Sequence, residues 1–106
     1  MKDLSYLENL EPSITISLRK RIKSVDGKEE FAELTINEPC FTHIEKFYRN
    51  SEKDGAMAAF AVLISELSSP TVPLNAVQFM NYRDYKKAEV YLLDFLKSPI
   101  LAGETL

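Results

Sequence analysis

The chain has 106 residues, in which 13 Lys and Arg stand against 16 Asp and Glu, so its formal net charge is −3. Hydrophobic residues make up 45% and charged residues 27%, a balance typical of a folded protein rather than a disordered one. The negative charge argues against nucleic-acid binding, because there is no overall positive field to attract phosphates. The sequence contains one cysteine, which excludes an intramolecular disulfide, and no apolar run of the ~18 to 20 residues that a membrane span needs.

The length predicts one domain, because domains cluster near roughly 100 to 150 residues. Residues 1–13 mix charges with scattered Leu and Tyr and are expected to form a mobile N-terminal arm. Residues 14–97 are expected to hold the domain, and residues 98–106 a loose C-terminal tail. The first residues lack the basic and then apolar segments of a signal peptide, so we expect the protein to stay in the cytoplasm.

Two segments of alternating hydrophobicity predict a β-hairpin around an Asp-Gly turn signal. Its inward face is expected to hold Ile14, Ile16, Leu18, Ala32, Leu34 and Ile36. A three-residue loop with Gly27 in the left-handed conformation would pair Leu18 with Leu34. The same register would place Ile16 opposite Ile36.

Four helices are predicted after the hairpin, from their caps and their apolar spacing. The first helix is expected to open at Thr42, with Glu45 completing a capping box, and to end near Arg49. The second is expected to follow its N-cap Asp54 and to end at Leu67, and the third to run from Pro73 to about Met80. The last is expected to run from its N-cap Asp84 to Lys97. The expected fold class is therefore α+β, an N-terminal β-hairpin followed by a small bundle of about four helices.

The second predicted helix, residues 55–67, is apolar on nearly every side. Such a helix must be covered on most sides, either by its own domain or by a partner. In the last helix, Val90 and Leu93 lie away from the face that belongs to the core and are candidates for an exposed contact surface.

Candidate catalytic and metal-binding residues are few. Cys40 and His43 stand three apart at a predicted helix start, where the helix dipole favours a thiolate. Catalytic pairs of this kind usually come from distant segments, so a packed Cys40 and a polar first-turn His43 are favoured. No zinc-site spacing occurs, and three glycines are too few for a phosphate-binding loop. We expect no catalytic residue, metal, cofactor or small-molecule substrate.

One basic cluster leaves an alternative function open. It consists of Arg19, Lys20, Arg21, Lys23 and Lys28. A charged β-ribbon can enter a DNA groove, which would suit a small DNA-binding regulator or antitoxin-like protein. Glu29, Glu30 and Glu33 on the facing strand neutralise the cluster, so a solvated hairpin face is favoured over DNA binding.

The hairpin and the last helix carry a family resemblance. In the hairpin segment, the residues that carry the resemblance are Leu18, Ile22, Gly27, Leu34, Ile36, Glu38 and Pro39. With them the chain resembles the small tail assembly chaperones of contractile-tailed, Mu-like bacteriophages. The segment FMNYRDYKKAEVYLLDFL is similar to that family's closing segment, in which an Asp opens the last helix, here Asp84. Arg21 stands where a Pro is common, and Cys40 where Thr or Ser is usual.

The resemblance implies a non-catalytic protein that binds and solubilises the tape measure protein in the host cytoplasm during tail assembly. The tail tube protein is a second candidate partner, and self-association is left open; no nucleic acid and no membrane are expected as partners. An apolar groove between the helix over residues 55–67 and the last helix is the expected binding site. Its candidate residues are Met57, Phe60, Leu63, Val90 and Leu93. For each of these residues, a place in the core is the alternative.

Overall fold

A β-hairpin followed by four α-helices forms the fold, as predicted, in a computed structural model that describes residues 5–24 and 26–96. A short 3-10 helix, Ser5–Asn9, precedes the hairpin. The strands are β1 (Ser13–Lys23), β2 (Glu30–Asn37) and β3 (Ser68–Ser69), and the helices are α1 (Phe41–Asp54), α2 (Ala56–Leu67), α3 (Leu74–Val77) and α4 (Tyr82–Leu96). The expected α+β class is confirmed. The predicted tail, residues 98–106, lies outside the described residues.

The sheet has three antiparallel strands in the order β1-β2-β3, so β2 is central. The third strand was not predicted, because two residues are too few to show an alternating pattern. Ser69 pairs with Thr35 and Ser68 with Ile36. The Asn37 side chain donates a 3.1 Å hydrogen bond to the carbonyl of Leu67, which ties the end of α2 to β2.

The predicted hairpin register is wrong. Ile16 lies opposite Leu34, and not opposite Ile36, in the first part of the ladder. The register then shifts between Ser17 and Ile22, and Ile22 lies opposite Phe31. Gly27 does have the predicted left-handed conformation, with φ 72°. The Ser24 N–H donates to the Glu29 carbonyl, so the loop contains four residues rather than three.

The irregular stretch of β1 also changes which side chains of β2 are inward. Phe31 is buried and Ala32 is exposed, the reverse of the prediction. The predicted alternation assumed a regular ladder, whereas a bulge increases the local twist of the strands that it joins. Leu34 and Ile36 are buried as predicted.

The structure corrects the predicted starts of α2 and α4. Asp54 is the last residue of α1, and Gly55, with φ 93°, separates α1 from α2. Glycine adopts this positive φ without the steric cost that a side chain adds, so the chain can turn sharply there. Asn81, rather than Asp84, caps α4, since its Oδ1 accepts a 3.0 Å hydrogen bond from the Arg83 N–H.

The core lies between the sheet and the helices. Helices α3 and α4 contact β1, α2 contacts β2, and α1 packs on α2. Fully buried large apolar side chains come from β2, α2, α4 and the segment after β3, namely Leu34, Ile36, Leu63, Ile64, Val72 and Leu92. Most of the apolar surface of α2 is therefore covered by the chain itself, and its exposed apolar part is the first turn, residues 56–58.

Candidate partner-binding surface

Exposed apolar side chains gather where α2 and α4 begin. Two adjoining hollows lie there, and Tyr82 lines both of them. The inter-helix hollow has a volume of about 360 Å³ and is lined by Met57, Ala58, Ala61, Val77, Gln78, Met80, Tyr82 and Tyr85. The basic hollow, on the outer side of α4, is lined by Tyr82, Arg83, Lys86, Lys87 and Val90.

The five predicted binding residues divide between this surface and the core. Met57 is 62% exposed and lines the inter-helix hollow, and Val90 is 52% exposed and lines the basic hollow. Leu93 is 38% exposed and follows Val90 by one turn of α4. Phe60 and Leu63 are 5% and 1% exposed, so they are not accessible to a partner in this conformation.

Phe60 is held in the core by a neighbouring aromatic ring. Its ring centroid lies 4.7 Å from that of Phe47 on α1. Aromatic pairs at this distance add packing energy beyond the area that they bury. The contact covers Phe60 on the side of α2 that faces α1.

Tyr82 lines both hollows, and the sequence prediction missed it. It is exposed and joins the two hollows, but the last helix was predicted to start two residues later. With Asn81 as the cap, Tyr82, Lys86 and Val90 follow one another at intervals of four along α4. Residues four apart lie on the same face of a helix, so this spacing is the signal by which Tyr82 could have been found.

The basic hollow carries positive charge that is only partly paired. Lys86 Nζ lies 2.6 Å from Glu89 Oε1, and the Tyr85 hydroxyl donates a 2.9 Å hydrogen bond to Glu89 Oε2. The hydrogen bond from Lys86 is the main cause that lowers the pKa of Glu89. Within the described part of the chain, Arg83 and Lys87 have no carboxylate partner.

A second arrangement of polar side chains opens α1. Cys40 is exposed, whereas it was predicted to be packed. It occupies the N-cap position of α1, which was assigned to Thr42. The Cys40 N–H donates a 3.0 Å hydrogen bond to His43 Nδ1, and Cys40 Sγ lies 3.1 Å from Thr42 Oγ1. The hydrogen bond with Thr42 is the main cause that lowers the pKa of the Cys40 thiol. The predicted capping box of Thr42 and Glu45 is thus replaced by one of Cys40 and His43.

Neither a cluster of metal-ligating side chains nor a helix able to span a membrane occurs among the described residues. Among them, no three His, Cys, Asp or Glu side chains lie close enough together to hold a metal ion. None of the described helices combines the length and the apolar character that a bilayer crossing requires.

The hairpin and helices together correspond to a known family. The model of a family described as "Phage tail assembly chaperone proteins, E, or 41 or 14" matches residues 15–97. The chain belongs to this family. The match covers all four helices and nearly all of the hairpin, and it confirms the family resemblance of the sequence. Searches of curated proteins and of solved structures returned no significant match. Family membership gives the chain a role in phage tail assembly as a chaperone, and therefore protein partners.

Proposed function

We propose that this tail assembly chaperone binds the tape measure protein through the apolar side chains around Tyr82. The observation that carries the proposal is the grouping of Met57, Tyr82 and Val90, all exposed, on two hollows that adjoin. Contiguous exposed apolar surface on a small protein is typical of a site for another polypeptide. A groove between helix starts suits the apolar face of a partner helix.

The side chains of this surface also suit a partner whose sequence varies along its length. Met57 is unbranched and flexible, so it can adapt to apolar side chains of different shapes. Tyr82 combines a large apolar ring with a polar hydroxyl, a combination that is common in protein interfaces. A long helical tape measure protein with a continuing apolar stripe would present many such segments to several copies of the chaperone.

Co-expression tests the proposal directly. The tape measure protein is produced with and without the chaperone, and its soluble fraction and its co-purification with the chaperone are measured. Wild-type chaperone is expected to keep the tape measure protein soluble. Met57→Glu and Val90→Glu are expected to reduce both readouts, because a charge on an apolar contact must be desolvated on binding.

Phe41→Glu is the matched control. Phe41 is exposed and apolar but lies at the first position of α1 and lines neither hollow. Glu is favourable in the first turn of a helix, so the fold should be retained, as a thermal melt of each variant would check. A tape measure protein that stays insoluble with wild-type chaperone would refute the function. Equal solubilisation of the tape measure protein by all three variants would refute binding through this surface.

We further propose that the chaperone acts by binding alone, in the host cytoplasm, and without catalysis. The side chains of Cys40 and His43 are accounted for by the capping of α1. Cys40→Ala is therefore expected to retain full solubilisation of the tape measure protein. Loss of that activity in a folded Cys40→Ala variant would contradict a purely binding function.

A further inference from the structure

The basic hollow has an apolar floor and a positive rim. The side chains of Arg83, Lys86 and Lys87 line it with their hydrocarbon stems, together with Tyr82 and Val90, so its surface is almost entirely apolar. Long basic side chains commonly cover apolar surface in this way while their charged ends remain in water. The hollow thus combines apolar contact area with cations along its edges.

The charge of this site is opposite to that of the whole chain. The formal net charge is −3, yet three of the five residues that line the basic hollow are cationic. A third hollow, lined by Lys20, Arg21, Ile22, Lys23, Ser24 and the exposed Phe79, repeats the combination of cations and an apolar side chain. Among the described residues, neither hollow is lined by Asp or Glu.

We propose that the basic hollow selects a helix whose apolar face is flanked by carboxylates. The inference rests on the proposed function and specifies the chemistry of the segment that is bound. An apolar face would cover Tyr82 and Val90, and carboxylates at its edges would meet Arg83 and Lys87. Charge complementarity of this kind mainly sets specificity and the rate of association, whereas the apolar contact supplies most of the affinity.

A nucleic acid is the competing occupant, since phosphates would also meet these cations. The apolar floor favours the helix, because binding to a phosphate backbone would leave Val90 without an apolar contact. The negative net charge would also repel a polyanion at distances where the local cations do not dominate.

The test uses the full-length chaperone and two helical peptides of about 20 residues with the same Leu stripe. One peptide carries Glu on both edges of the stripe, the other Lys. Binding is measured by fluorescence anisotropy at about 50 mM and about 300 mM salt. The Glu-flanked peptide is expected to bind about tenfold more tightly at low salt, and the preference is expected to shrink at high salt.

Two charge-reversal variants assign the preference to the hollow. Lys87→Glu is expected to reduce the preference for the Glu-flanked peptide by roughly threefold or more. Lys53→Glu changes the net charge equally on exposed α1, outside all three hollows, and is expected to leave the preference unchanged.

Several outcomes of these measurements would overturn the inference. Equal binding of both peptides, or an equal loss in both variants, refutes charge selection by the hollow. Tighter binding of a DNA duplex of about 20 base pairs than of the Glu-flanked peptide would favour a nucleic acid instead. If neither peptide binds but the tape measure protein is solubilised, the inference fails and the proposed function stands. If solubilisation fails as well, both fail.

Discussion

The backbone N–H of Arg19 donates a 2.9 Å hydrogen bond to Oδ2 of Asp84, which joins β1 to α4. Arg19 lies in the stretch where β1 shifts register against β2. Asp84 is fully buried, and among the described residues its Oδ1 has no hydrogen-bond partner. A buried carboxyl group of α4 thus accepts an N–H of the edge strand β1 and joins the helix to the strand.

Removal of this carboxylate should destabilise the fold. Asp84→Ala is expected to lower the free energy of unfolding by about 1 to 3 kcal/mol, because the part-buried Arg19 N–H would lose its carboxylate acceptor. Chemical denaturation monitored by circular dichroism measures the change. An unchanged denaturation midpoint in Asp84→Ala would contradict the role given to this hydrogen bond.

Asp84→Asn separates the hydrogen bond from the charge. The amide oxygen can still accept the Arg19 N–H, and the substitution removes a buried charge whose second oxygen lacks a partner. We expect a change below about 1 kcal/mol, of either sign. Equal destabilisation by Asn and Ala would mean that the charge, and not the hydrogen bond, matters.

The cap of α4 gives a second, smaller effect. Asn81→Ala is expected to cost about 1 kcal/mol, because the Arg83 N–H at the start of the helix would lose its side-chain acceptor. Asn81→Asp is the control and should retain stability, since Asp is an equally good N-cap. If Asn81→Ala unfolds at the same denaturant concentration as the wild type, Asn81 is not the functional cap.

The sequence pattern of α4 explains why its N-cap was predicted three residues late. Asn81 and Asp84 are both residues that cap helices well, and both precede apolar positions with helical spacing. The choice between them depends on Arg19, which is far away in the sequence and whose backbone N–H donates a hydrogen bond to the Asp84 side chain. Local spacing therefore predicted the helix and its core face but not its first turn.

The hairpin register was unpredictable for a related reason. Alternation and the Gly27 turn identified both strands, and these are local properties. Within the shifted stretch between Ser17 and Ile22, the Arg19 N–H donates to Asp84 of α4, which lies 65 residues away in the sequence. The hydrophobic pattern of either strand alone does not predict that contact.

The exposure of the candidate binding residues was predicted in part, because helical periodicity marks apolar residues without showing which of them a neighbour covers. Met57, Val90 and Leu93 are exposed, whereas Phe60 and Leu63 are covered by the chain itself. Phe60, for example, is covered by the ring of Phe47 on α1, a contact between two helices that the spacing within either helix does not show.

A pair of leucines tests this division between core and surface. Leu63→Ala is expected to cost about 2 to 5 kcal/mol, because it removes fully buried methyl groups and leaves a cavity. Leu93→Ala makes the same chemical change at an exposed position and should cost less than about 1 kcal/mol. Denaturation curves of the two variants compare the sites directly. Similar losses in both would contradict the burial that the structure shows.

The Cys40 thiol should react at a lower pH than an ordinary thiol. Its thiolate accepts a hydrogen bond from the Thr42 hydroxyl, which lowers the pKa of the thiol and raises the reactive fraction at neutral pH. The rate of alkylation by iodoacetamide, measured against pH, is expected to have its midpoint at a lower pH than that of a cysteine in an unstructured peptide. Thr42→Val removes the hydroxyl and should move the midpoint upward, while Thr71→Val, the same change at an exposed site away from Cys40, should not. A midpoint that is equal in the wild type and Thr42→Val would show that the Thr42 hydroxyl does not stabilise the thiolate.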